Sequence, residues 1–375
     1  MSLSESGNPV AVYRWSTRMD PRIREHAETI VDHSLGLSAG DDLVIRLPAA
    51  AEELAVALHE LAGDRGANPV YLNNSDRARR AYLRAREEEF ETADHHLALN
   101  EEADAFVIAR GGPNATEMED VPPATTAAFN RANKPVQDAR LEADWCLTQF
   151  PTPGQAQLAG MSTDAYENFV YDAVSIDWER QREFQAQMVE IVDDAQEIRI
   201  RSGEETDVRM SVAGNTTLND DGQANLPGGE VFTAPVRDSV EGVVHFDMPL
   251  YRQGREIEDV RLRFENGRVE SFSAARNEDV LAGVFDTDDN ARYLGELGIG
   301  MNRAIDRFSY NMLFDEKMGD TVHMAVGSAY PATVGEENEV QRVCRTRRHD
   351  RRHERDSTIE VDGEVVQRDG EFVFE

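Results

Sequence analysis

The sequence predicts an α/β domain with a mostly parallel sheet over residues 1–150, followed by an α+β domain with mainly antiparallel sheet over residues 151–375. Two observations carry that prediction. Up to Phe150, short β-rich runs alternate with helix-patterned segments, as in a parallel sheet with both faces covered. Beyond Ala195, strands follow one another, and Asn266–Gly267, Asp362–Gly363 and Asp369–Gly370 are strong hairpin signals. One absence narrows the first half: no GxGxxG follows its first strand, and the GG of ARGGPN is too little for a nucleotide site.

The elements follow in order. Residues 20–36, DPRIREHAETIVDHSLG, carry apolar residues at helical spacing and end in glycine. DDLVIRLP is a strand, AAAEELAVALHELAGDRG a helix and NPVYLN a second strand. A third helix (75–90), the strand DAFVIARG, a helix around TTAAFNRAN and the strand ADWCLTQF complete the alternation. PTPGQAQLAGMS is a turn-rich connector, and the helices TDAYENFVYDAVS and WERQREFQAQMVEIVDDA follow it. The strands QEIRIRS, TDVRMSVAG and EGVVHFDM come next, then the hairpin VRLRFENGRVESFSA and the helix NEDVLAGVFDT. The chain closes on the hairpins of STIEVDGEVVQRDGEFVFE.

Charge bounds the partners. The formal net charge is −33, and acidic residues are spread along the whole chain, which disfavours nucleic acid and anionic membranes as partners. Only Lys134 and Lys317 are lysines among 39 basic residues. Many carboxylates with almost no lysine point to a salt-adapted, halophilic archaeal source. Two cysteines imply no disulfide framework. No secretory signal opens the chain and no apolar run has the length of a membrane span, so a cytoplasmic location is expected.

Three stretches bring metal-binding residue types into the second half. NLPGGEVF offers Glu230 at a strand start, YLGELGIG offers Glu296, and TVHMAVGSAY offers His323 with Tyr330 seven residues on. A lone strand histidine is usually a hydrogen-bonded core residue. A glutamate among small and apolar neighbours must be paired, protonated or bound to a cation. Two such carboxylates with one imidazole favour a metal, and the donor types suit Zn, Co or Mn rather than Ca or Mg.

NLPGGEVFTAP, ARYLGELGIGMN and MLFDEKMGDTVHMAVGSAYP resemble the motifs of the M29 family of metallo-aminopeptidases, the aminopeptidase T group. The resemblance extends over nearly the whole chain. It implies two divalent metal ions held by two glutamates, two histidines and an aspartate, with Glu230, Glu296 and His323 as three of the five ligands. It implies peptide substrates with a free N-terminus and a homodimer with an enclosed site. Tyr330 matches a tyrosine that could hydrogen-bond the tetrahedral intermediate, or it is an ordinary strand-end aromatic. Glu316 is a candidate general base or a support for the ligands; in so acidic a chain an exposed carboxylate is the plainer expectation.

The family's other two ligands come from a His-x-Asp strand before the terminal hairpins. Here that place reads NEVQRVCRTRRHDRRHERD, residues 338–356, with seven arginines between Arg342 and Arg355. A phosphate-binding patch lacks aromatic platforms and sits in an acidic chain. Replacement of the ligands by His349, Asp350, His353 or Glu354 would set guanidiniums beside a cationic site. A local shift of reading frame fits better: read one base later, the codons of Thr346 to His349 can encode His-Val-Asp, rejoining the acidic frame near Asp356. The expectation is a metal-dependent aminopeptidase impaired by this segment; the alternative is a non-catalytic peptide-binding or structural dimer.

Overall fold

The structure is a computed structural model that describes residues 19–86, 89–252, 255–335, 338, 346–351 and 357–375, with 252 and 346–351 described by their backbone. Both expected architectures are present. The four strands of the first half line up in the order Asn68–Asn73, Asp42–Leu47, Ala105–Arg110, Asp144–Gln149, all parallel. Leu43, Val44 and Ile45 are all buried, as a strand covered on both faces requires. A fifth strand, Asn225–Leu226, is contributed from beyond residue 150 and pairs parallel with Asp144–Gln149. It is two residues long and carries no sequence pattern of its own.

Helices cover this sheet. Pro21–Glu28 begins where the Asp20 carboxylate accepts a hydrogen bond from Arg22 N, and Glu52–Arg65 ends on Gly66 at φ 77°. The helix expected over 75–90 runs only Asp76–Ala85. The acidic run that follows opposes the negative end of a helix dipole, which accounts for the early stop. Asp94–Glu101 and Lys134–Glu142 are further helices that the apolar spacing did not announce; they are short and pack on each other. No described helix is long and apolar enough to cross a membrane.

The second half folds into two larger antiparallel sheets. One has eight strands, ordered from Arg268–Ser273 through Val260–Glu265, Glu241–Phe246, Thr206–Ser211 and Glu197–Ser202 to the three closing strands. The other has the order Thr346–Arg351, Thr321–Val326, Leu294–Gly300, Glu230–Thr233, Leu218–Asp220. A single apolar core unites them. Val244 and Leu262 from the first sheet share it with Leu297, Ile299, Val322 and Met324 from the second. Side chains alternate along a strand, so Glu296, Gly298 and His323 fall on the opposite face of the second sheet. A smaller core, in which Phe169 and Val170 pack on Leu313, Phe314 and Met318, anchors the loop bearing Glu316 and Lys317.

Candidate metal centre

Glu230, Glu296 and His323 come from three adjacent strands of one sheet. All three are buried, at 3%, 1% and 0% exposure. His323 Nε2 lies 3.0 Å from Glu230 Oε2 and 3.7 Å from Glu296 Oε1. Glycines make this approach possible. Gly298 stands across from His323 in the strand register, and a Cβ there would lie 2.1 Å from the imidazole Cε1. Gly229 has φ +115°, and a Cβ on it would come within 2.3 Å of Asn302 Cβ. Asn302 Nδ2 donates to Gly228 O at 3.1 Å, while Gln185 Nε2 donates to Glu230 O at 3.0 Å. The strand start is therefore held from both sides.

Glu316 is 2% exposed, which corrects the expectation of a solvated acid. Its burial follows from the small core beneath it, which the residue's acidic neighbours do not reveal. Lys317 Nζ donates to Glu230 Oε1 at 2.6 Å and to Glu316 Oε2 at 3.3 Å, and lies 3.4 Å from Asp220 Oδ2. Asp220 and Lys317 were not foreseen. Lys317 carried a signal: it is one of only two lysines in an arginine-rich chain. A compact ammonium fits among three carboxylates where a planar guanidinium does not. Tyr330 is 40% exposed, and its ring meets Phe232 edge-on at 6.2 Å between centroids. It stands beside the strand of Glu230.

Asp220, Glu230, Glu296 and Glu316 are all buried, and the Lys317 ammonium and the His323 imidazole lie among them. Burial raises Asp220 to about 6, opposed by Lys317 and reinforced by Glu230. Burial pulls the His323 imidazole down, but Glu230 and Glu296 outweigh it and raise the group to about 9. In this arrangement the imidazole holds a proton at neutral pH. A divalent cation would have to displace it.

The donor types fit Zn, Co or Mn. Among the described residues, no group of three His, Cys, Asp or Glu side chains is arranged to hold a metal ion. Lys317 takes one oxygen of Glu230, and the other flank of His323 is the backbone of Thr346–Arg351. That strand pairs antiparallel with Thr321–Val326, with His349 in register with His323 and Arg347 in register with Ala325. His353 and Glu354 lie outside the described residues, as do 1–18, 339–345 and 352–356.

Comparison with known proteins identifies the family. Residues 19–369 match the M29 family, described as thermophilic metalloprotease. Aminopeptidase 2 of Geobacillus stearothermophilus is 28% identical over 390 residues, covering 93% of this chain and 92% of the relative. Aminopeptidase T of Thermus thermophilus is 28% identical over 345 residues, covering 81% of this chain and 84% of its own. The solved structure of wild-type AmpT from Thermus thermophilus superposes with a TM-score of 0.83 at 25% identity, over 94% of this chain and 99% of that one. The chain belongs to the M29 family of thermophilic metalloproteases and is an enzyme of the metallo-aminopeptidase type.

Proposed function

We propose that this chain has the scaffold of an aminopeptidase releasing N-terminal residues from peptides, with Glu230, Glu296 and His323 as three ligands of a divalent-metal centre. The observation that carries the reading is the convergence of these buried groups on the face opposite the core, with His323 Nε2 3.0 Å from Glu230 and 3.7 Å from Glu296. Bound there, a Zn, Co or Mn ion would supply Lewis-acid polarisation of the scissile carbonyl and activation of a water. The full family arrangement is a pair of ions. The chain's own groups have separate tasks. Glu316, buried next to Lys317, holds or accepts a proton; Lys317 fixes the Glu230 carboxylate; Tyr330 donates a hydrogen bond from the open side. The acidic surroundings favour the substrate's ammonium terminus. Residues 1–150 support this site, and 151–375 carry it.

The segment 338–356 impairs the centre. In the register of the edge strand, His-x-Asp at positions 347 and 349 would stand across from Ala325 and His323. Residues two apart share one face of a strand, so this spacing would present both ligands toward the same side as His323. The chain as written has Arg347 and His349 there. The test is release of N-terminal amino acids from a peptide at high salt, with and without chelator. The written chain should stay near background. A chain carrying Arg347→His, Arg348→Val and His349→Asp should gain cobalt- or zinc-dependent activity. Equal activity of both chains would refute the impairment, and inactivity of both would refute the frame argument.

The arginine segment favours one second reading, a non-catalytic peptide-binding dimer. Sequencing the gene across 338–356 separates them: compensating single-base shifts support the enzyme, and codons that stand as written support the binder. The charge of −33 further supports a salt-adapted cytoplasmic protein that loses its fold in low salt.

A further inference from the structure

Leu218, Phe232, Gly298 and His323 form one transverse row across four strands of the second sheet. Phe232 is in register with Leu218 on one side and with Gly298 on the other, and Gly298 in turn with His323. Residues directly opposite one another in antiparallel strands share a face, as do residues two apart along one strand. Phe232 therefore shares its face with Glu230, two residues before it, and with His323 in its own row. The His323 ring covers Gly298, where a Cβ would meet Cε1 at 2.1 Å. The imidazole thus lies about one strand spacing, roughly 4.8 Å, from the strand of Phe232.

The two rows differ in cover. Over the row of Glu230 and Gly300 the site loop closes down, so that a Cβ on Gly300 would lie 2.1 Å from Met318 O. Over the row of Phe232 the face is partly open: Leu218 and Phe232 are half-buried, and Tyr330, whose ring meets Phe232 edge-on, is exposed. None of these three side chains belongs to an apolar core, whereas Val231, next to Phe232 on the opposite face, does. Their frame is fixed. Thr216 N donates to Thr333 O at 3.0 Å, Thr333 Oγ1 donates to Tyr330 O at 2.7 Å, and Thr233 Oγ1 donates to Thr216 O at 3.0 Å. These bonds tie the segment of Tyr330 to the strands of Leu218 and Phe232.

We propose that Leu218, Phe232 and the Tyr330 ring form the subsite for the side chain of the substrate's N-terminal residue, so that peptides beginning with a large apolar residue are preferred. The inference rests on the aminopeptidase reading. An ammonium terminus drawn to the carboxylates of Glu230 and Glu296 carries its side chain on the next carbon, which reaches the neighbouring row. An apolar side chain laid there covers apolar surface that the fold leaves in contact with water.

The test is ligand-observed NMR titration of the full chain with the amides of glycine, alanine, leucine and phenylalanine and with N-acetyl-leucine amide, repeated with Phe232→Ala, Phe232→Leu and Leu218→Ala. Binding does not require turnover. Leucine and phenylalanine amides should bind about tenfold more tightly than alanine amide, the scale of partial burial of the added carbons. Phe232→Ala should erase most of that preference and Leu218→Ala part of it, while glycine amide binds every variant equally. Phe232→Leu keeps an apolar side chain and should retain the preference for leucine amide. Equal binding of alanine and leucine amides by the unaltered chain, or a preference that both alanine substitutions leave intact, would overturn the proposal. Equal weakening of glycine and leucine amides would show a merely structural role and overturn it too. Loss of self-association in Phe232→Ala with the preference intact would assign these side chains to a subunit interface, again against the proposal. A preference that N-acetyl-leucine amide shares would instead count against the aminopeptidase reading, because the ammonium would then play no part.

Discussion

His323 lies between two strands that pair with it equally well and contribute very differently. On one side, Leu294–Gly300 runs antiparallel from Leu294 opposite Val326 to Gly300 opposite Thr321. On the other, Thr346–Arg351 runs from Thr346 opposite Val326 to Arg351 opposite Thr321. The first is buried at every residue, shaped by glycines, and carries Glu296. The second is an edge strand of three arginines, a threonine, a histidine and an aspartate. The contrast teaches that a ladder of backbone hydrogen bonds accepts nearly any sequence at an edge, where charged residues are common. Chemistry depends on which side chains the ladder presents.

The contrast can be broken from the inner flank first. Lys317→Met should leave Glu230, Glu316 and Asp220 without their ammonium and cost about 3–5 kcal/mol, as unpairing a buried charge does. Urea unfolding measures it, and added zinc should restore part of the loss. Gly298→Ala should cost about 1–3 kcal/mol by overpacking against the His323 ring and should weaken metal binding with it. If the substitution is neutral in both, the glycine cradle is not needed.

Proton linkage sharpens the comparison further. The imidazole of His323 is raised to about 9 from an ordinary 6.5. Its contribution to stability is fully present below the unfolded value and is lost as pH rises through about 9. A cation must displace this proton, so affinity should rise about tenfold per pH unit below that value, with proton release in calorimetry. A pH-independent affinity would show that His323 does not ligate.

Much of the fold was legible because period and turn chemistry are local. The parallel alternation, the hairpins and the buried strands of Glu296 and His323 are patterns of adjacent residues. The two-residue strand Asn225–Leu226 and the helices Asp94–Glu101 and Lys134–Glu142 owe their form to packing, which no window of sequence contains. The same divide runs through the site. Glu230, Glu296 and His323 stood out as polar residues in apolar settings. Glu316 looked like one more surface acid, because its burial comes from Phe169 and Val170 far away in the chain. Asp220 gains meaning only from neighbours that the fold assembles.

The central claim is that this sheet holds three ligands and that the edge strand withholds the rest. Equilibrium titration with zinc or cobalt, comparing the written chain with one carrying Arg347→His, Arg348→Val and His349→Asp, tests it most directly. Even outer partners of a metal are worth roughly 10–100-fold in affinity, so the repaired chain should bind at least about 100-fold more tightly. Tight binding of a pair of ions by the chain as written would contradict the account.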